Sequence, residues 1–218
     1  MSINQLKKNV AKSVLDYLSF KYIIGIGSGS TILYFIKFLA RCKKKILGVV
    51  SSSYDTTMIL QKYGIQVFDI NTITQPVIYI DSADEINTNL QMIKGGGGAL
   101  TTEKIIASIA KKFICIVDES KVVDQLGVYP LPIEVIFHAY SYVLREIMKL
   151  GGFPKYRNGV VTDHGNIIID VYHLNLRHPK VMEDRINSIP GVVTVGLFCN
   201  RKADMALIGT KNGIKIIK

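Results

Sequence analysis

YIIGIGSGSTILYFIKFL, residues 22–39, opens with a short apolar run at 22–26. It turns on alternating glycines at Gly25, Gly27 and Gly29, then takes up helical spacing from Ile32 to Leu39. A buried strand, a glycine turn and a helix in that order make the opening of a parallel α/β unit. The pattern continues on both sides. Before it, Ser2 and Gln5 fit a capping box, and Leu6, Val10, Val14, Leu15 and Leu18 recur on one face, which predicts a helix over 3–18. After it come a strand at 46–50, a helix at 55–63, a strand near 66–68, a strand at 77–80, a helix at 103–111 and a strand at 113–117. This alternation predicts a Rossmann-like parallel sheet covered by helices.

From Leu131 the order changes to strand (132–137), helix (138–150), strands (158–162 and 166–171), helix (179–188) and strand (191–198), a ferredoxin-like α+β arrangement. Two more apolar runs, 203–208 and 213–217, meet at Asn212-Gly213, a hairpin signal. They are expected to return to the large domain. The expected division is therefore 1–129 with 201–218 for the Rossmann-like domain and 130–200 for the ferredoxin-like domain.

With 48% hydrophobic and 20% charged residues, the chain has neither a disordered nor a fibrous composition. Its start keeps lysines throughout and has no long apolar core, so the expected location is cytoplasmic, with no membrane partner. Cys42, Cys115 and Cys199 are odd in number and widely spaced, which fits neither a disulfide framework nor a zinc site. The net charge of +10 is spread over scattered lysines. Lys43, Lys44 and Lys45 have no interleaved aromatic residues, so no nucleic-acid partner is assigned, although positive charge would draw in a phosphorylated ligand.

Three segments carry candidate chemistry. GIGSGST, residues 25–31, offers backbone N–H groups and a helix N-terminus to a phosphate, with hydroxyls on Ser28, Ser30 and Thr31. It lacks both the later glycine and the acidic residue of a dinucleotide site, because Ser51, Ser52 and Ser53 end the next strand; no GK[ST] follows either. DSADE, residues 81–85, sets three carboxylates just past a buried strand, where open α/β sheets bind ligands and where crowding favours proton transfer. IKGGGGALTTEK, residues 93–104, holds four consecutive glycines, a costly run that implies close backbone approach. It would aim Lys94 at the same crevice as Asp81 and Asp84. Glu103 by itself reads as a first-turn acid favoured by the helix dipole, and Lys121 as a surface lysine. His138, His164, His173 and His178 have no ligand spacing and are read as structural or exposed.

GIGSGST, the serines at 51–53, DSADE, KGGGGAL with its following Glu, VDESK at 117–121 and LPIEV at 131–135 together resemble ribose-5-phosphate isomerase, type A, from end to end. Ser82 stands where that family usually has glycine, and Ser28 where threonine is commoner. The resemblance implies cofactor-free and metal-free interconversion of ribose 5-phosphate and ribulose 5-phosphate through a cis-enediolate, in a homodimer. It implies Glu103 as general base, Asp81 and Asp84 for ring opening and hydroxyl protons, and Lys94 for oxyanion charge. It further implies Ser28, Gly29, Ser30 and Thr31 as the phosphate segment, Lys7 and Lys121 as supporting cations, and Ser82, Ala83, Gly95, Gly96 and Gly97 along the sugar. Two rivals make different demands. A sugar-sensing regulator would need a DNA-binding domain, and a Schiff-base enzyme would use Lys94 as nucleophile.

Overall fold

A computed structural model describes residues 1–18, 22–74, 76 and 78–218, with no account of the side chains of 43–45. In chain order the elements begin with α1 (Ile3–Ser13), β1 (Ile23–Ile26), α2 (Ser30–Leu39), β2 (Gly48–Ser51), α3 (Tyr54–Lys62) and β3 (Ile78–Asp81). Next come β4 (Glu85–Ile86), β5 (Met92–Ile93), α4 (Leu100–Ile109), β6 (Lys112–Asp118), β7 (Leu131–Val135) and α5 (Tyr140–Lys149). The last are β8 (Phe153–Tyr156), β9 (Ile167–Tyr172), α6 (Pro179–Asn187), β10 (Val192–Val195), β11 (Leu197–Phe198), β12 (Met205–Thr210) and β13 (Gly213–Ile217).

The chain groups into two compact units. The first holds residues 1–82, 102–122 and 203–218. Its sheet runs β13-β12-β6-β3-β1-β2, parallel except for the closing β12–β13 hairpin. This is the Rossmann-like sheet that the alternating pattern predicts. Strands β1, β2 and β3 are apolar runs buried on both faces, as helix-covered parallel sheets require. Their core, with Ile24, Ile26, Phe35, Ile36, Ile80 and Ile114, is sealed on one side by Val10 and Val14. Helix α1 starts where Ser2 Oγ accepts the Gln5 N–H, as the capping box predicts, but it ends at Ser13 and finishes as a 3₁₀ turn over Val14–Tyr17. The strand expected near 66–68 reduces to one parallel bridge, Val49 to Val67. Val77, expected to open the 77–80 strand, lies outside the described residues.

The second unit holds residues 83–101 and 123–202. Its four-stranded antiparallel sheet, β10-β7-β9-β8, carries the ferredoxin-like order over a core of Ile133, Val143, Ile147, Ile169, Ile186 and Val195. The strand expected at 158–162 lies instead at 153–156. Pro154 cannot donate to a ladder, and it is accommodated because β8 is an edge strand. Val161 is left exposed in the turn that follows. The strand expected at 191–198 breaks at Gly196 into β10 and β11, and β11 joins a small three-stranded sheet, β11-β5-β4. A Cβ at Gly196 would sit 2.3 Å from the Lys94 carbonyl oxygen, so only glycine allows the strand to change sheets there. Among the described residues no helix is long and apolar enough to cross a membrane.

Candidate active site

In the first unit the register Ile26 to Ile80 between β1 and β3 carries Gly27 alongside Asp81, with the Gly27 N–H donating to the Ile80 carbonyl at 2.8 Å. A Cβ at Gly27 would fall 1.8 Å from Asp81 Oδ1. The missing side chain is what admits the carboxylate. Asp81 is fully buried. Its Oδ1 accepts the N–H of Ser28 at 3.1 Å and of Ser82 at 2.7 Å, while its Oδ2 accepts the Tyr79 hydroxyl at 2.5 Å. The Ser82 hydroxyl donates to the Ser28 carbonyl at 3.1 Å. Asp81 thus fastens the turn after β1 to the end of β3.

The turn leads into α2 through Gly29, whose φ of 94° lies in the left-handed region. Ser30 opens the helix, and Lys7 Nζ donates to its Oγ at 2.9 Å, which brings an ammonium to the positive end of α2. Thr31 is buried. From the other side the Ser28 hydroxyl donates to Glu103 Oε1 at 2.6 Å. Glu103 lies in the first turn of α4 and is only 3% exposed, so the acid that spacing alone gives to helix stabilisation is buried against the glycine turn. Among the serines at 51–53, the Ser52 N–H donates to the Ile26 carbonyl at 3.0 Å, just before the turn. Ser53 caps α3, and Thr56 Oγ1 donates to the Gly27 carbonyl at 3.2 Å. Lys121 is half-buried in a short 3₁₀ turn just past β6.

Tyr79 has no place in the sequence-derived set. It is buried and stacked near Phe113, with ring centroids 4.9 Å apart. Burial, together with the charges of Asp81 and Glu103, pushes its hydroxyl well above the usual tyrosine range, so it stays a proton donor. The strand alternation that places residues 79 and 81 on one face was the available signal.

In the second unit Lys94 follows β5 directly and is 2% exposed, its Nζ 5.4 Å from the centre of the Phe198 ring. Gly95 and Gly98 take φ of 105° and 82°, so the glycine run is a formed turn, closed by a Gly98 N–H to Gly95 carbonyl bond of 3.0 Å. Gly97 is exposed and Ala83 buried. The half-buried Asp84 accepts the Gly96 N–H on Oδ2 at 2.8 Å. A Cβ at Gly96 would meet Asp84 Oδ1 and the Tyr129 hydroxyl, each at 2.6 Å. Burial and the Asp84 charge raise the Tyr129 hydroxyl. Glu85 turns the other way, accepting the N–H groups of Gly127 and Tyr129. The carboxylates of DSADE therefore each have their own donors.

Sequence reasoning also missed Arg157. Burial alone would lower its pKa, but its hydrogen bonds to Asp170 and the charge of that residue outweigh burial and raise it. The two meet through Nε at 2.7 Å and Nη2 at 2.5 Å. The four histidines are exposed, Cys115 and Cys199 are buried, and Cys42 is half-buried. Among the described residues no group of three or more His, Cys, Asp or Glu could hold a metal ion.

A parallel sheet whose first turn presents backbone amides at a helix N-terminus, with acids at the ends of neighbouring strands, defines a Rossmann-like α/β protein that here carries a smaller antiparallel domain. The profile of Ribose 5-phosphate isomerase A (phosphoriboisomerase A) matches residues 48–213. The ribose-5-phosphate isomerase A of Buchnera aphidicola subsp. Acyrthosiphon pisum (strain Tuc7) is 59% identical over 217 residues, covering 100% of this chain and 97% of the relative. The crystal structure of ribose 5-phosphate isomerase A from Neisseria gonorrhoeae superposes with a TM-score of 0.97 at 45% identity, covering 99% of this chain and 97% of that one. A D-ribose-5-phosphate isomerase solved in complex with phospho-erythronic acid gives 0.94 at 36% identity, with all of both chains covered. The chain belongs to the ribose 5-phosphate isomerase A family.

Proposed function

We propose that the chain interconverts D-ribose 5-phosphate and D-ribulose 5-phosphate, an aldose–ketose isomerisation of the non-oxidative pentose phosphate pathway that proceeds through a cis-enediolate. The observation that carries the chemistry is a buried carboxylate, Glu103, within 2.6 Å of the hydroxyl of Ser28 on the glycine turn. In the open-chain aldose, the carboxylate removes the proton on C2, next to the C1 carbonyl. The electrons shift to the carbonyl oxygen to give the enediolate. The hydroxyl proton on O2 passes to O1, and the same carbon-bound proton is returned to C1, leaving the carbonyl at C2. Lys94 stabilises the oxyanion that develops in between.

The amides and hydroxyls of Ser28, Gly29, Ser30 and Thr31 take the phosphate at the α2 N-terminus, with Lys7 and Lys121 as supporting cations. Asp81 and Asp84 serve ring opening and the hydroxyl protons, Asp81 also holding the phosphate turn. Ser82, Ala83, Gly95, Gly96 and Gly97 line the sugar. Acid, base and cation are all supplied by side chains, so no metal or organic cofactor is assigned. The relative solved in complex with phospho-erythronic acid supports the reading. That compound joins a phosphate to a planar carboxylate anion, the charge pattern of an enediolate phosphate. The protein is further expected to be a cytoplasmic homodimer, with neither nucleic acid nor membrane as a partner.

The test is a ribose 5-phosphate to ribulose 5-phosphate assay on purified protein, with Glu103→Gln alongside. The variant is expected to fold and to lose about two to four orders of magnitude in kcat, the usual worth of general base catalysis. Near-normal turnover would remove Glu103 from the role. Borohydride added with substrate is expected to leave no covalent adduct, whereas an adduct on Lys94 would establish the Schiff-base alternative.

A further inference from the structure

The Arg157 guanidinium faces two ways. Its Nε and Nη2 grip Asp170 bidentately, and its Nη1 donates to the carbonyls of Gly95 and Gly96 at 3.1 Å each. The side chain is half-buried and the ion pair is bidentate, so the fork is fixed before it meets the glycines. Both glycine peptides are trans and planar, so their N–H groups point opposite to their carbonyls. Holding the Gly95 carbonyl on Arg157 therefore aims the Gly96 N–H away from the guanidinium, and it lands on Asp84 Oδ2 at 2.8 Å. Holding the Gly96 carbonyl turns the Gly97 N–H away from the guanidinium in the same manner, at an exposed residue. Glycines have no side chains by which a protein could otherwise orient such a segment.

We infer that Arg157, braced by Asp170, is a positioning residue for the isomerisation, fixing the 95–97 peptides so that Asp84 keeps the orientation its proton transfers need. This rests on the function proposed above. Arg157 acts through Asp84 and the glycine turn and need not touch substrate. Lysine is a poor replacement, since one ammonium cannot grip a carboxylate bidentately and also reach two carbonyls.

Steady-state kinetics on Arg157→Gln, Arg157→Lys and Asp170→Asn, each repeated in an Asp84→Asn background, tests the inference. In the wild-type background kcat is expected to fall roughly 10- to 100-fold for both Arg157 variants, with KM changed less than about threefold. In the Asp84→Asn background the further loss is expected to shrink to about twofold or less, because residues acting as one unit are not additive. A loss of undiminished size in that background, or normal kcat in folded Arg157 variants, overturns the inference. If Arg157→Gln fails to fold, Arg157→Lys and Asp170→Asn carry the test. A wild-type protein inactive on ribose 5-phosphate would refute the proposed function alone. Hydrogen exchange at the Gly96 amide then decides the positioning, faster exchange in Arg157→Lys supporting it and unchanged exchange overturning it.

Discussion

Tyr79→Phe removes one oxygen from a fully buried ring and leaves its contact with Phe113 in place, so the change falls chiefly on the bond to Asp81 Oδ2, with the smaller interaction with the Ser52 side chain lost beside it. A hydrogen bond to a charged group contributes about 1.5–3 kcal/mol, and this one is made to a fully buried carboxylate. For a chain of 218 residues that loss corresponds to a melting temperature lower by about 3–12 °C. The hydroxyl also has a pH signature whose sign is fixed. Its folded-state pKa is raised above the value of about 10 in an unfolded chain, so its contribution is full below about pH 10 and is lost as pH climbs toward the folded value. Urea unfolding at pH 7 is expected to show the full deficit in the variant. Above about pH 10 the gap should narrow by up to about 1.4 kcal/mol per pH unit, because only the wild type must keep that proton. Since Asp81 also holds the Ser28 amide, KM for ribose 5-phosphate should rise by about tenfold, or about 1.4 kcal/mol of lost orientation. Equal stability of the two proteins at pH 7, or a gap that stays constant into alkaline solution, would refute the reasoning.

Gly27→Ala puts a methyl group where Asp81 Oδ1 lies and should displace the carboxylate from its donors. Thermal melts should show a loss of about 3–5 kcal/mol, with isomerase activity falling below a tenth of normal. Lys7→Ala, at a half-buried position, should leave the melting temperature within about 2 °C but raise KM severalfold, and the difference from wild type should shrink at high salt. Dialysis against EDTA should leave turnover intact; a full loss that added metal restores would overturn the cofactor-free reading.

The parallel sheet was legible because its strands are unbroken apolar runs separated by turn residues and amphipathic helices, a pattern no other layer arrangement produces. Periodicity failed where a residue's surroundings outweighed its neighbours in sequence. Val160, Val161 and Thr162 look like a strand, yet the edge position goes to Phe153–Tyr156, where the proline can sit. Glu103 could be assigned only through the resemblance, since any first-turn glutamate looks the same until its burial is known. Tyr79 was hidden because β3 is buried on both faces, so no polar alternation marks the face it shares with Asp81. Arg157 was hidden for another reason. Its partners Asp170, Gly95 and Gly96 are brought to it by the hairpin and by a distant turn, and no local pattern in one sequence reports such a meeting.

The fit of Asp81 into the space of a missing Cβ at Gly27 also bears on descent. Two codons 54 positions apart behave as a single inherited character: a lineage cannot gain a side chain at 27 and keep the acid at 81 in its present place. Mutational drift can reach an alanine at 27 only through an ancestor that has already given up or moved the carboxylate. In reconstructed ancestors and in libraries selected for isomerase growth, the two positions should change together or not at all.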